Sequence, residues 1–157
     1  MKAWWKDRAV RVPVFPPLLL LAGMAAGFIL DWWRPSAIFT APGLRHGLGS
    51  TLFVAGIAVA FWAERTLRAH QVDPKFQAVP QLVTAGPFRW TRNPMYVGVI
   101  LTYSGVSILA NNAWMWLMLV PATLVLHVAI ISREEDYLQD RFGEAFQAYC
   151  RSVRRWI

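Results

Sequence analysis

The sequence predicts an all-α integral membrane bundle of about four transmembrane helices, followed by a C-terminal amphipathic helix. Three observations carry this reading. The composition is 56% hydrophobic and 16% charged with nine tryptophans, the chain contains charge-free stretches of spanning length, and its basic residues gather in the segments between them. At 157 residues the chain suits a single membrane domain over 1–157. Its one cysteine, Cys150, cannot close an internal disulfide, and no Cys and His cluster has metal-ligand spacing, so no metal is expected. The net charge of +7 lies in short stretches beside apolar spans, where it matches cytoplasmic loops and anionic headgroups. The expected partner is therefore the bilayer and not nucleic acid.

The elements follow in order. Val12 to Leu30 is nineteen residues without an ionisable group, and Gly47 to Ala63 is seventeen; a spanning helix needs about 20. A signal peptide competes for the first stretch, because Lys2, Lys6, Arg8 and Arg11 precede an apolar run with small residues at Ala22 to Gly27. The run continues through Phe28, Ile29 and Leu30 to Trp32 and Trp33, a pair that suits an interfacial anchor better than a cleavage site.

From Asn93 to Ser132 there are forty residues without Asp, Glu, Lys or Arg, twice the length that crosses a hydrocarbon core. This stretch must fold back. Asn111 and Asn112, adjacent helix-disfavouring amides, are the natural corner, with Trp114 and Trp116 as anchors. The spans are therefore expected near 12–30, 47–63, 95–110 and 113–132. Alternate connections carry fourteen Lys and Arg against two, which puts both termini and the 64–92 loop in the cytoplasm, at the inner membrane if the cell is bacterial. Tyr137 to Trp156 has Leu138, Phe142, Ala145, Phe146, Tyr149 and Val153 at helical spacing, an amphipathic helix softly interrupted at Gly143 that would lie at the interface or cover a bound cofactor. Arg154 and Arg155 would add attraction to anionic lipid.

The polar residues cluster at one end of the expected hairpin. Asn93 with Pro94 reads as a helix start, and Arg133, Glu134, Glu135 and Asp136 follow the last apolar residue. Taken singly, the first is a capped helix and the second a solvated exit from the bilayer. An antiparallel hairpin brings the two together at one face. Helix-start amides or Arg92 would suit a ligand carboxylate, and a glutamate an ammonium or ribose hydroxyls, so the junction reads as a cofactor pocket.

The stretch LVTAGPFRWTRNPMYVG over 82–98, then an apolar hairpin, then REEDYL and RFGEAFQAY, resembles the isoprenylcysteine carboxyl methyltransferase and phospholipid methyltransferase family. The resemblance covers residues 80–157, the expected cofactor-binding half. Its motif residues here are Arg92, Asn93, Pro94, Tyr96 and Gly98 at the opening of the hairpin, and Glu134, Glu135 and Leu138 at its close. The resemblance implies that Gln81, Leu82, Val83, Phe88, Asn93, Pro94, Met95, Tyr96 and Glu134 line S-adenosylmethionine, with Arg92, Gly98 and Glu135 belonging to the same site. It also implies methyl transfer by in-line displacement to a lipid-like or small hydrophobic acceptor at the cytosolic interface, the protein chiefly aligning the nucleophile and excluding water.

Phe88 stands where Tyr is usual in that family, and Asn93 where its prenylcysteine enzymes have His. Those enzymes carry an Arg four residues before the cofactor glutamate for a substrate carboxylate; here the position is Ile130. His127, seven residues before Glu134 and so near the same helix face, is a candidate base, its alternative being a histidine hydrogen-bonded within the bundle. Arg133 is a candidate substitute for the missing Arg. Tyr103 and Ser104 carry hydroxyls suited to bridging helices, and Met115 and Met118 read as packing or lipid-facing groups. Two other functions fit the same pattern: an NADPH-dependent sterol-type membrane reductase and a non-catalytic scaffold.

Overall fold

The computed structural model describes residues 16–72 and 79–157; Lys2, Lys6, Arg8, Arg11, Lys75 and the first positions of the expected 12–30 span lie outside them. All regular elements among the described residues are helical. They are α1 (Pro16–Trp33), α2 (Pro42–Ala69), α3 (Pro94–Leu109), α4 (Ala113–Val125), α5 (Ser132–Phe142) and α6 (Glu144–Ser152), with a short 3₁₀ turn at Gly86–Arg89. A π-helical turn, Leu126–Ile131, joins α4 to α5, so Ala113–Phe142 runs as one helix of 30 residues. Together with α1 and α2 it is long and apolar enough to cross a membrane, whereas α3 is apolar but has 16 residues, about 24 Å at the α-helical rise. The architecture is that of an all-helical membrane bundle.

Helix α2 outruns the expected 47–63 span at both ends. It begins at Pro42, a residue suited to a first helical turn, and continues past Ala63 because Glu64 and Arg68 pair one turn apart at 2.6 Å. Gln71, in the left-handed region at φ 56°, turns the chain away after the helix.

Close helix packing is set by small residues. Gly49 and Gly56 on α2 face Gly98 and Gly105 on α3, each pair two turns apart and hence on one face. A Cβ on Gly98 would lie 2.7 Å from Ala60 N and Gly56 O, and one on Gly56 would lie 2.4 Å from Thr102 N. Without side chains the two backbones meet directly, which gives dispersion contact where lipid supplies no hydrophobic drive. Gly27 does the same for α1 against Met115 of α4.

The hairpin corner lies where the sequence places it. Asn111 adopts φ 55°, a conformation that Asn tolerates better than most residues, and Asn112 Oδ1 accepts from Met115 N at 2.7 Å to cap α4. The corner also holds the α1–α2 connection: Ile38 and Phe39 N–H donate to Asn111 Oδ1 at 3.0 and 2.9 Å, and Trp114 Nε1 donates to Arg34 O. Inside the bundle Tyr103 Oη donates to Met115 O at 2.9 Å, bridging α3 and α4.

The expected amphipathic helix over 137–156 is two pieces. Tyr137–Phe142 completes the long helix, Gly143 reverses at φ 53°, and α6 is a separate short helix whose Phe146 and Tyr149 are buried. Gly143 is therefore a helix end and not a soft interruption, since its positive φ leaves the helical region.

Candidate functional site

At the end of the bundle opposite the Asn111 corner, the start of α3, the length of α5, the 79–93 connection and α6 enclose a cavity of about 550 Å³, a size typical of small-molecule sites. Most of its wall is apolar. Its charged and polar lining residues are Gln81, Arg92, Asn93, Tyr96, Glu134, Glu135 and Tyr149.

Each polar group is positioned by a traceable contact. Tyr96, in the first turn of α3, donates from Oη to Glu134 Oε1 at 2.6 Å, tying the hairpin's two ends together. Glu135 lies between two guanidinium groups: Arg155 Nη2 donates to its Oε2, and Arg92 Nη2 stands 3.2 Å from its Oε1. That second approach is an ion pair by distance only, because Arg92 Nε and Glu135 Oε1 are buried without a hydrogen-bond partner. Tyr149 donates to Phe88 O at 2.7 Å, and burial pushes its hydroxyl above the ordinary phenol value, so it remains a donor that fixes the 3₁₀ turn carrying Phe88. Gln81 Nε2 donates to His70 O at 2.6 Å, tying the 79–93 connection to the end of α2. Gly86, at φ 58°, sits where a Cβ would meet Thr66 Oγ1 at 2.8 Å, which lets this connection lie close against α2.

Of the residues named from the sequence, the cavity brings together Gln81, Leu82, Val83, Phe88, Arg92, Asn93, Pro94, Met95, Tyr96, Glu134 and Glu135. Three others lie outside the lining. Gly98 packs against Gly56 and Ala60 of α2, so its role is helix approach. His127 was expected on the face of Glu134; the π turn between them adds a residue and rotates the later positions by about 100°. Its ring instead meets the chain's end, with Nε2 3.1 Å from Arg155 Nη1 and Nδ1 accepting from Trp156 Nε1 at 3.2 Å. Arg133, next to Glu134 in α5, also lies outside the lining residues.

Asn93 differs in detail from its reading as a helix cap. Its side chain makes no cap hydrogen bond and donates from Nδ2 to Arg155 O at 3.0 Å. Arg155 likewise differs from a lipid-attracting surface charge, since it is engaged with Glu135 and beside His127. The sequence reading missed the wall made by α1, through Leu20, Leu21 and Met24, whereas Phe146 and Tyr149 of α6 line the cavity on the apolar face expected to lie at the interface or to cover a cofactor.

An S-adenosylmethionine molecule carries a carboxylate, an ammonium, a sulfonium and a flat heterocycle, and the donor set fits it. Arg92 holds an unused buried N–H, Glu134 supplies a carboxylate, and the apolar wall suits a heterocycle. Met95 and Tyr96 occupy the helix-start positions whose amides have no partner within the helix.

An uncharacterized protein of Haemophilus influenzae is 33% identical over 63 residues, which is 40% of this chain and the full length of that protein. No solved structure matches the chain. The model of the phospholipid methyltransferase family matches residues 44–145, from the start of α2 through the Glu134–Glu135 pair into α6, and the chain belongs to that family of methyltransferases acting on lipid.

Proposed function

We propose that the chain transfers the methyl group of S-adenosylmethionine to a lipid or small hydrophobic acceptor dissolved in the membrane, and that the cavity at the base of the α3–α5 hairpin is the cofactor site. The observation that carries this reading is the meeting of both signs of charge in the lining of a largely apolar cavity, Arg92 against Glu135 with Glu134 beside it in the chain. In this reading Arg92 and the α3 amides hold the amino-acid carboxylate, Glu134 takes the ammonium or ribose end, and Leu82, Val83 and Phe88 pack the heterocycle. The bound cofactor supplies an activated methyl group.

The chain's own contribution is alignment. Tyr96 holds the Glu134 carboxylate in one orientation, and the apolar wall from α1 excludes water while admitting hydrocarbon. Neither His127 nor Arg133 has a part in this scheme, because neither lines the cavity. The orientation with both termini and the 64–92 loop in the cytoplasm completes the proposal, since it opens the polar end to a water-soluble cofactor.

Calorimetric titration of the detergent-purified protein with S-adenosylmethionine tests the site, and transfer of a labelled methyl group into a whole lipid extract tests the reaction. Saturable binding with label in the lipid fraction is expected. Binding of NADPH in place of S-adenosylmethionine would move the chain to the reductase reading, and binding of neither would favour a scaffold.

A further inference from the structure

We propose that the C-terminal segment Val153–Ile157 is a working part of the cofactor site and that Arg155 is the positioning residue through which it acts. The inference rests on the cavity being the S-adenosylmethionine site. The segment lies beyond the residues that the family model matches, and none of its residues lines the cavity, so any effect it has passes through other groups.

Its contacts converge on the start of α3. Arg92 N–H donates to Arg154 O at 3.0 Å, and Thr91 Oγ1 and Asn93 Nδ2 both donate to Arg155 O at 3.0 Å. Three successive residues, of which Arg92 and Asn93 line the cavity, are thereby fixed by two carbonyls of the segment. The far side of the segment is anchored on the π turn, where Trp156 stacks on His127 with ring centroids 6.1 Å apart and donates to its Nδ1.

The side chain of Arg155 acts on charge. Glu135 and Arg92 are nearly buried, with side chains 14% and 13% exposed, and a buried carboxylate facing a guanidinium favours a two-pronged hydrogen-bonded pair. Such a pair would consume the donors of Arg92. Arg155 prevents it by engaging Glu135 Oε2, which leaves Glu135 Oε1 and Arg92 Nε without a hydrogen-bond partner. Arg92 thus keeps a desolvated donor for a ligand carboxylate, at a cost in stability that a bound carboxylate offsets. Docking of the segment and binding of the cofactor are then linked, each favouring the other.

The test compares wild type with Arg155→Ala, Arg155→Lys and Trp156→Ala in detergent. Arg155→Ala is expected to weaken S-adenosylmethionine binding about tenfold or more by calorimetry. It should raise KM for the cofactor in parallel while kcat at saturating cofactor stays within about threefold, as for loss of a binding contact. Arg155→Lys should recover part of the affinity. In the absence of ligand, hydrogen exchange of peptides spanning 88–95 should quicken in Arg155→Ala and Trp156→Ala, and cofactor should slow exchange in peptides spanning 150–157 of the wild type. Trp156→Ala, which keeps Arg155 and alters a residue outside the cavity lining, serves if Arg155→Ala does not fold. Wild-type binding with unchanged affinity in the folded variants overturns this inference alone, as does a fall in kcat with KM unchanged. A wild type that binds no S-adenosylmethionine overturns the site and this inference together.

Discussion

Tyr96 Oη donates to Glu134 Oε1 at 2.6 Å, joining residues 38 apart in sequence across the base of the α3–α5 hairpin. The bond gives a buried carboxylate its partner and sets its direction toward the cavity. Tyr96→Phe should therefore leave the shape of the cavity and remove the partner, costing about 1–3 kcal/mol. Part of that loss should appear as about tenfold weaker S-adenosylmethionine binding. Titration beside a thermal melt separates the two effects, and unchanged affinity would show that Glu134 needs no such orientation.

Two glutamates make a direct comparison. Glu134 lines the cavity, whereas Glu144 is exposed at the start of α6. Glu134→Ala is expected to abolish measurable cofactor binding and Glu144→Ala to leave it within about twofold, since an exposed charge away from the ligand contributes little. Equal behaviour of the two variants would remove the proposed site.

The seam between α2 and α3 predicts a stability effect without chemistry. In Gly98→Ala the new methyl group meets Ala60 N and Gly56 O at 2.7 Å, backbone atoms that cannot rotate aside. Overpacking of this kind costs about 1–3 kcal/mol and should lower the melting midpoint. Gly43→Ala, with nothing within 4 Å of the added atom, is the control. Matching melts for the two variants would mean that the helices do not approach as closely as described.

These cases also mark what was legible in the sequence. The corner at Asn111 and Asn112 and the start of α3 at Pro94 are announced by residues whose local preferences dictate a turn or a helix start; the hairpin they define brings Arg92–Tyr96 to Glu134 and Glu135, and the family resemblance adds Gln81, Leu82, Val83 and Phe88 to the lining. Gly98 was grouped with the cofactor residues and lies at the α2–α3 seam, because a motif glycine and a packing glycine look alike singly. The seven-residue spacing shared by Gly49 with Gly56 and Gly98 with Gly105 was the signal for packing. The π turn at Leu126–Ile131 has no such mark, since LHVAII contains neither Gly nor Pro, and it alone displaces His127 from the face of Glu134. Docking of the C-terminal segment was also hidden, because its acceptors are backbone carbonyls that any residue would provide.

Orientation in the membrane is a separate expectation, motivated by the fourteen-to-two division of basic residues. Asn112 is buried and Asn111 is engaged with Ile38 and Phe39, so the exposed Thr40, in the neighbouring connection, is the better reporter. With Cys150 replaced, Thr40→Cys should react with an impermeant external thiol reagent in intact cells, and Arg151→Cys only after permeabilisation. The reverse pattern would invert the topology.

The acceptor should not be a prenylcysteine carboxylate. Enzymes of that type, in the family resemblance, hold the carboxylate with an Arg four residues before the cofactor glutamate, the place of Ile130 here. Ile130 is 0% exposed and packs in the core with Tyr103, Leu119 and Leu126, so the position offers no donor and no room for one. Arg133 lies outside the lining of the cavity and cannot replace it there. Losing a charge-assisted hydrogen bond to a buried carboxylate costs several kcal/mol, about a hundredfold or more in rate. An acceptor whose nucleophile is an amine, thiol or hydroxyl needs no such partner and suits the apolar wall better. Assays with acetyl-farnesylcysteine beside aminophospholipids and hydrophobic thiols should give product only from the latter two classes. Ile130→Arg should destabilise the bundle and not create the missing activity, because it would bury an unpaired charge. Robust methyl-ester formation on the prenylcysteine by the unaltered protein would show that a different group holds the carboxylate, and would reverse the assignment of the acceptor.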